Sequence, residues 1–463
     1  MAEFSDVVVL LPGVSGSALA KDGKEIWGLS TGALWGAATS IGKSIGQLKL
    51  EDDDPSVDDL GDGITATRVI PDLHIIPGLW KIDGYTATSA SLLQRGLKAN
   101  RNYFEFPYDW RRDNRASARR LAEKAQRWLQ AWRTSSGNEE AKLVLIGHSM
   151  GGIVARYFLE ALGGWRDTRS LITFGTPYRG SLNAVGYLAN GYAKGIGPLK
   201  VDLSETVRSF TSIYQLLPTF ECIDSGSGQL VRVGETSGLP NIDAARAAKA
   251  LAFHHEIRDA QKRNAADEAY RKDGYKIFPI VGIEQPTFVS AVLRNGKLEL
   301  SQSLKGKVMG GDSVVPRVSA TPLELSDQHR EVYAAEAHAS LQNFSPVLTQ
   351  VGGVLTSSEF DPSAFETPVQ VTLGLDLQDV YGAGPVEIAA KPSRPVPLEV
   401  QVFDAPTNKL VARERLAASE DGYARAHVNL PPGAYRVTVG GDESVSPVTD
   451  ACLVIDAGSS DTN

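Results

Sequence analysis

The period of the hydrophobic pattern changes repeatedly along this chain. Val7 to Leu11 is an unbroken apolar run of strand length, and a second run, Leu143 to Ile146, ends in a sharp glycine-flanked turn. Past that turn Ile153, Val154, Tyr157, Phe158 and Leu162 recur at helical spacing. Between the two runs, Ile64 to Pro71 and Tyr103 to Pro107 read as strands. Tyr85 to Leu97 and Ser117 to Trp132 read as helices, the second with Leu121, Ala125, Trp128 and Leu129 on its apolar face. Strand patterns return at 171–175, Lys276–Val281 and Thr287–Leu293, with a long amphipathic helix over about 242–270. Such alternation predicts an α/β layer fold.

Beyond Gly352–Gly353 the long helical pattern stops. Thr356 to Glu366 is rich in Ser, Asp and Pro and reads as a linker. Short strands then follow at 369–375, 385–390, 397–403, 409–415, 422–428, 434–439 and 449–455, separated by Gly/Pro turns. This spacing predicts an all-β sandwich over 367–456, behind an α/β domain over 1–352. The Leu430–Pro431–Pro432–Gly433–Ala434–Tyr435 stretch resembles transthyretin-like or immunoglobulin-like accessory domains. Its candidate roles are targeting, binding a protein partner, or stabilisation. Residues 457–463 are a polar tail.

The material after Ser181 is too long for an ordinary connection and predicts a lid over about 186–275. Within it Tyr214, Leu216, Leu217, Pro218 and Phe220 offer apolar surface suited to an acyl chain.

Composition narrows the picture. The 463 residues are 42% hydrophobic and 22% charged, as in an ordinary globular protein. A net charge of -8 argues against a nucleic-acid partner. Two distant cysteines, Cys222 and Cys452, make no disulfide framework. Met1 to Asp6 has no basic segment, and no apolar stretch is long enough to span a bilayer, so a cytoplasmic protein is expected. Residues 25–50 scatter Trp27, Leu29, Trp35 and Ile41 among small residues. They either fold over the core or, together with the lid, give peripheral contact with a membrane. The seven acids of 51–62 read as a solvated loop, and the EF-hand spacing for calcium is absent.

The chemistry centres on Gly147–His148–Ser149–Met150–Gly151, a G-x-S-x-G turn between strand and helix that exposes a serine hydroxyl above a sheet. Ser149 is the candidate nucleophile. The glycine-rich loop Pro12–Ser17 follows the first strand, where this class builds half of its oxyanion hole. The backbone N–H groups of Val14 and Met150 are its candidate donors. That loop lacks the spacing of a dinucleotide or phosphate fingerprint. A serine needs a base and the base needs an acid, and in an α/β-hydrolase the order is serine, acid, histidine. Asp312, in Val308–Pro316, is the candidate acid. His338 is favoured as base, at the mouth of a helix running toward Phe344, over His329 in a polar loop. His148 points elsewhere on the turn, His254 and His255 sit in the long helix, and His427 lies in the second domain. Asp109, beside Arg111 and Arg112, reads as a structural ion pair. This chemistry requires no metal and no organic cofactor.

These stretches, in this order, resemble the lecithin:cholesterol acyltransferase family, a phospholipase A2- and acyltransferase-like group of α/β-hydrolases, over about residues 7–345. The resemblance is carried by Leu11–Pro12–Gly13, Pro107–Tyr108–Asp109–Trp110–Arg111, Gly147–His148–Ser149–Met150–Gly151, Phe174 to Ser181, Gly311 to Pro316, and His338 with Leu341. It implies an α/β-hydrolase fold with a cap, Ser149, Asp312 and His338 as the triad, and a lipid acyl ester as donor. The lid cysteines of secreted animal members are missing, so water rather than sterol is the acceptor to consider. The expected function is a serine-dependent lipid acyl-ester hydrolase or O-acyltransferase. The alternatives are a carboxylesterase or triacylglycerol lipase, and an inactive hydrolase scaffold whose β domain mediates protein interaction.

Overall fold

The computed structural model describes residues 4–28, 46–71, 74–76, 80–194, 201–325, 332–356, 371–382, 384–442 and 444–455. Trp35, Ile41, His329, most of the linker and the polar tail lie outside them.

The apolar runs form a six-stranded sheet. Its strands are β1 (Val7–Leu11), β2 (Tyr103–Glu105), β3 (Leu143–His148), β4 (Thr168–Phe174), β5 (Lys276–Gly282) and β6 (Val332–Ala334). The spatial order is β6-β5-β4-β3-β1-β2, with every pair parallel. Parallel strands are covered on both faces, which is why β1 and β3 are buried at every position rather than alternating. Register levels the carboxyl ends: Leu11 pairs with Gly147, His148 with Phe174, Phe174 with Ile280, and Gly282 with Ala334. The loops leaving these strands open on one edge, where open α/β sheets bind ligands.

Helices cover the faces. Helix α1 (Asn114–Ser136) starts where Asp113 accepts the N–H of Arg115 and stops at Gly137, whose φ of 69° ends it in a left-handed cap. It buries Leu121, Ala125, Leu129 and Trp132. Helix α2 (Met150–Ala161) follows the serine turn and is buried almost all round. The predicted strand at Ile64–Pro71 exists as Ile64–Val69, but it joins Ser17–Lys21 and Lys24–Trp27 in a small antiparallel sheet rather than the central one.

The cap is built from α3 (Leu182–Asn190), short helices at Ser204–Ser209 and Thr211–Tyr214, and α4 (Ala244–Ala266). Cap material also continues past residue 275. Ser290–Arg294 pairs with Ile223–Asp224 and with Lys297–Ser301 in a four-stranded sheet. The described flanks of segment 25–50 fold inward: Trp27 and Leu48 are buried, and Trp27 Nε1 donates to the Ser15 carbonyl. Among the described residues no helix is long and apolar enough to cross a membrane.

The acidic loop departs from expectation in part. Asp53 is buried against Arg112, and Arg112 also donates to the carbonyls of Asp54, Val57 and Asp58. Arg111, fully buried, bonds Asp109, Asp62 and the Leu48 carbonyl. An unpaired buried guanidinium would be very costly, so these two arginines draw in Asp53 and, in part, Asp62, while Glu51, Asp52, Asp54, Asp58 and Asp59 stay exposed as expected.

The C-terminal part is all β: β7 (Leu373–Asp376), β8 (Val380–Tyr381), β9 (Gly384–Pro392), β10 (Leu398–Asp404), β11 (Lys409–Ala418), β12 (Ala424–Leu430), β13 (Gly433–Gly440) and β14 (Val448–Val454). The order is β7-β9-β12-β11-β10-β13-β14-β8. Strands β11 and β12 share only two residue pairs, so the sheet divides there. Val386, Ile388 and Val428 of one half and Val400, Val402, Val437 and Val439 of the other meet in one core. The seven predicted strands each have a counterpart, and β8 is added.

Candidate active site

At the carboxyl end of β3 the chain reverses through Ser149, whose φ of 51° and ψ of −124° are costly for any residue but glycine. The surroundings hold it there. Ser149 N–H donates to the Phe174 carbonyl at 2.8 Å, and its own carbonyl accepts Thr176 Oγ1 at 2.9 Å. The flanking glycines are needed for space. A Cβ on Gly147 would lie 2.7 Å from Gly152 Cα, and one on Gly151 would lie 2.5 Å from the carbonyl oxygens of Leu11 and Pro12.

Two more loops converge on the serine. His338 Nε2 lies 2.9 Å from Ser149 Oγ, and His338 Nδ1 lies 2.7 Å from Asp312 Oδ2. The other Asp312 oxygen accepts the N–H groups of Val314 and Val315 at 3.0 and 2.6 Å. The Asp312 carbonyl accepts the His338 N–H at 2.8 Å, so acid and base are tied by backbone as well as side chain. All three residues are buried, with Ser149 8% and His338 9% exposed, enough for a reactant to enter from one side. His338 does not stand at a helix mouth as the sequence suggested. It lies in the loop after β6, before a single 3-10 turn at Leu341–Asn343 and a helix, α5, at Ser345–Thr356. Residues 334–339 thus run irregularly over the sheet edge, which lets the imidazole reach back to the serine.

Sequence reasoning missed several partners of this site. His148 is fully buried. Its Nε2 sits 3.1 Å from the His338 carbonyl and its Nδ1 2.7 Å from Tyr85 Oη, which also accepts the Gly13 N–H at 2.9 Å. A carbonyl only accepts, so Nε2 carries the proton and Nδ1 accepts from the tyrosine. Burial above all, and then the neighbouring His338, push the His148 imidazole down to about 3, so it is neutral. Gly175, with φ 51°, and Gly282 make room for the acid. A Cβ on Gly175 would lie 2.6 Å from Asp312 Oδ2, and one on Gly282 would lie 2.3 Å from Asp312 Cβ. A glycine directly after a core strand was the only signal available for either.

The two candidate oxyanion donors, Met150 and Val14, both line or adjoin the space beside Ser149. Met150 is the first residue of α2, so its N–H belongs to a helix N-terminus. Val14 borders the cavity in the Pro12–Ser17 loop, which packs so close that a Cβ on Gly13 would stand 2.9 Å from Ser149 Cβ. That cavity, about 470 Å³, reaches from Ser149 and His338 to Tyr187, Ile213 and Leu216 of the cap, to Phe288 and Leu300, and to Leu375 and Leu377 of the C-terminal part. Among the described side chains, His254 and His427 have partners elsewhere. His254 Nε2 bonds the Gln215 carbonyl at 2.7 Å, and His427 pairs with Glu387 on the β part. Asp109 pairs with Arg111, as the sequence implied. Cys222 and Cys452 are both buried and are not joined to each other. Among the described residues no cluster of His, Cys, Asp and Glu could hold a metal ion.

Known proteins resemble this chain in two ways. A family model, lecithin:cholesterol acyltransferase, matches residues 69–243. The phosphatidylcholine-sterol acyltransferase of Gallus gallus is 30% identical over 145 residues, which cover 30% of this chain and 34% of that protein. The chain therefore spans about a third of the curated relative it matches. Among solved structures, a chain of the Tle4-Tli4 complex superposes with a TM-score of 0.50 at 16% identity, covering 78% of this chain and all of that one, a likeness of fold. The mature Bacillus licheniformis lipase BlEst2 gives a TM-score of 0.33 at 14% identity, covering 77% and 94%. Over residues 69–243, then, the chain is similar to the lecithin:cholesterol acyltransferase family.

Proposed function

We propose that this protein is a serine-dependent lipid acyl-ester hydrolase or O-acyltransferase working through an acyl-enzyme on Ser149. The observation that carries this reading is the unbroken hydrogen-bonded line from Asp312 through His338 to Ser149. His338 Nε2 takes the Ser149 proton as Oγ attacks the ester carbonyl. The tetrahedral oxyanion is held by the N–H groups of Met150 and Val14. Collapse breaks the ester C–O bond, and the leaving alcohol takes the proton from His338. Water or an acceptor alcohol then adds to the acyl-enzyme, losing its proton to His338 and restoring Ser149. Asp312 keeps the imidazole in the tautomer that presents a bare Nε2 to the serine.

A lipid donor is favoured by the apolar lining of the cavity and by the family match. A carboxylesterase or triacylglycerol lipase differs only in donor, so competition between a phospholipid and a short-chain ester separates these readings. The reading is tested by incubating pure protein with mixed lipids, with and without an alcohol acceptor, and identifying products by mass. Turnover, and labelling by a fluorophosphonate, are expected in the wild type and lost in Ser149→Ala. Equal turnover in Ser149→Ala would sink the mechanism, and a folded but inert wild type would favour the scaffold reading.

A further inference from the structure

The acid and base loops are each held from outside the α/β domain. Gln285 follows β5. Its N–H donates to the Gly311 carbonyl, and it forms a bridge with Asp312, so its backbone sets the acid loop. Its side chain faces the other way and is 1% exposed. Nε2 donates to the Leu373 carbonyl at 3.0 Å, and Oε1 accepts the Leu375 N–H at 2.9 Å, both on β7. Glu336 stands two residues before His338 and is also 1% exposed. Its Oε1 accepts the N–H of Ala337 at 2.8 Å and that of Thr449, on β14, at 2.9 Å. A third tie lies nearby. Arg436 of β13 donates from Nε to Asp83 Oδ1 at 2.7 Å, and the Asp83 N–H donates to the carbonyl of Ala339, next to His338.

Buried hydrogen bonds of this kind cost more to break than surface ones, because the freed group finds no water. A shift of the β part therefore moves residues one or two positions from the triad. Such shifts matter, since about 1 Å of misplacement can cost on the order of a hundredfold in rate. The same strand edge also sends Leu375 and Leu377 to the cavity wall opposite the cap.

We propose that the C-terminal β domain is a working part of the catalytic site: Gln285 and Glu336 position the Asp312 and His338 loops against it, and Leu377 walls the pocket that receives the acyl chain. This rests on the acyl-transfer reading above. Burial pushes the Glu336 carboxyl upward from its usual range, and Oε1 serves both N–H groups purely as an acceptor, a role an amide oxygen can imitate.

The test uses full-length protein and p-nitrophenyl esters of increasing acyl length. Glu336→Ala and Gln285→Ala should each lower kcat about tenfold or more, with KM changed by less than about threefold. Glu336→Gln, which keeps the oxygen acceptor, should recover most of the lost kcat at the same melting temperature. Leu377→Trp should shift the ratio of long-chain to short-chain kcat/KM by about tenfold or more, since it narrows the pocket without touching either loop. Unchanged kcat in both alanine variants, or a Glu336→Gln no better than Glu336→Ala, overturns the positioning role. An unchanged chain-length ratio in folded Leu377→Trp overturns the wall, and this arm stands even where an alanine variant fails to fold. A wild type that neither turns over esters nor takes a fluorophosphonate refutes the acyl-transfer reading, and this proposal with it.

Discussion

The ring of His148, the residue next to Ser149, donates its Nε2 proton to the carbonyl oxygen of His338, 3.1 Å away. The bond continues through Tyr85 to the Gly13 N–H, so one buried line joins the loop beneath the base to the loop above the serine. His148→Phe keeps the ring volume and removes both bonds, leaving the His338 carbonyl without its donor and the Tyr85 hydroxyl without its acceptor. We expect kcat to fall about ten- to a hundredfold while Ser149 still accepts a fluorophosphonate. Tyr85→Phe removes the two bonds made by the hydroxyl but keeps the one from His148 to the His338 carbonyl, and should lose less. Steady-state kinetics on both variants decide, and a His148→Phe enzyme as fast as wild type would remove His148 from the positioning network.

The same imidazole makes stability depend on pH. The folded protein holds His148 down to about 3 and His254 to about 4, both chiefly through burial, whereas an unfolded histidine titrates near 6.5. Between those values the unfolded chain binds protons that the folded one refuses. Folding stability is therefore undiminished above the unfolded value and falls as pH drops below it, by about 1.4 kcal/mol per pH unit for each such imidazole. Urea midpoints at pH 8, 6 and 5 should decline, and the decline should be shallower in His148→Phe. Equal slopes for the two proteins would show that His148 is not a source of the effect.

Gly175→Ala should separate activity from stability. Its Cβ would press on Asp312 Oδ2 at 2.6 Å and on His338 Nδ1 at 2.9 Å, from a backbone with φ of 51°. We expect a loss of about 1–3 kcal/mol in stability but a hundredfold or greater loss of kcat, since the clash falls on the acid–base contact itself. Gly353 is the contrast. It lies inside α5, and a Cβ there meets nothing within 4 Å. Gly353→Ala should raise stability by about 0.5–1 kcal/mol and leave kinetics alone. Thermal unfolding beside ester kinetics measures all four quantities.

Arg111→Met tests the pull on the acidic loop. The arginine is fully buried and is bonded to Asp109, to Asp62 and to a carbonyl. Removing it strands two carboxylates and should cost about 3–5 kcal/mol. Adding Asp109→Asn should recover part of that cost in a double-mutant cycle, and strict additivity would deny the coupling.

That Ser149, Asp312 and His338 could come together was legible in the sequence because each sits in a local grammar. Ser149 sits in a turn only glycine-flanked residues can make, and Asp312 sits before a proline stop in a glycine-rich loop. Gly175 and Gly282 were readable as residues that follow strands, but not as room for a carboxylate 137 and 30 residues downstream, because close approach across a sheet leaves no local pattern. Charge at 51–62 was read rightly for five of the seven acids, which are exposed, but not for Asp53 and Asp62, which two buried arginines need. His338 does lie beside Ser149, but in a loop well before the helix at whose mouth the sequence put it; an irregular loop held by backbone bonds carries no periodicity to find. The ties of Gln285 and Glu336 were likewise invisible, since single polar residues in apolar surroundings do not name their partners.

Ser149 and His338 stand 189 residues apart in the chain. Synthesis runs from the N-terminus, and domains tend to fold as they emerge. The serine turn and four of the six sheet strands thus leave the ribosome long before the acid and the base, and the β strands that grip both loops come last. On the acyl-transfer reading proposed above, a growing chain carries a serine that still lacks its base, and activity arises only near the end of the chain's own translation. On that reading, truncated products of an interrupted message would have no esterase chemistry to misdirect.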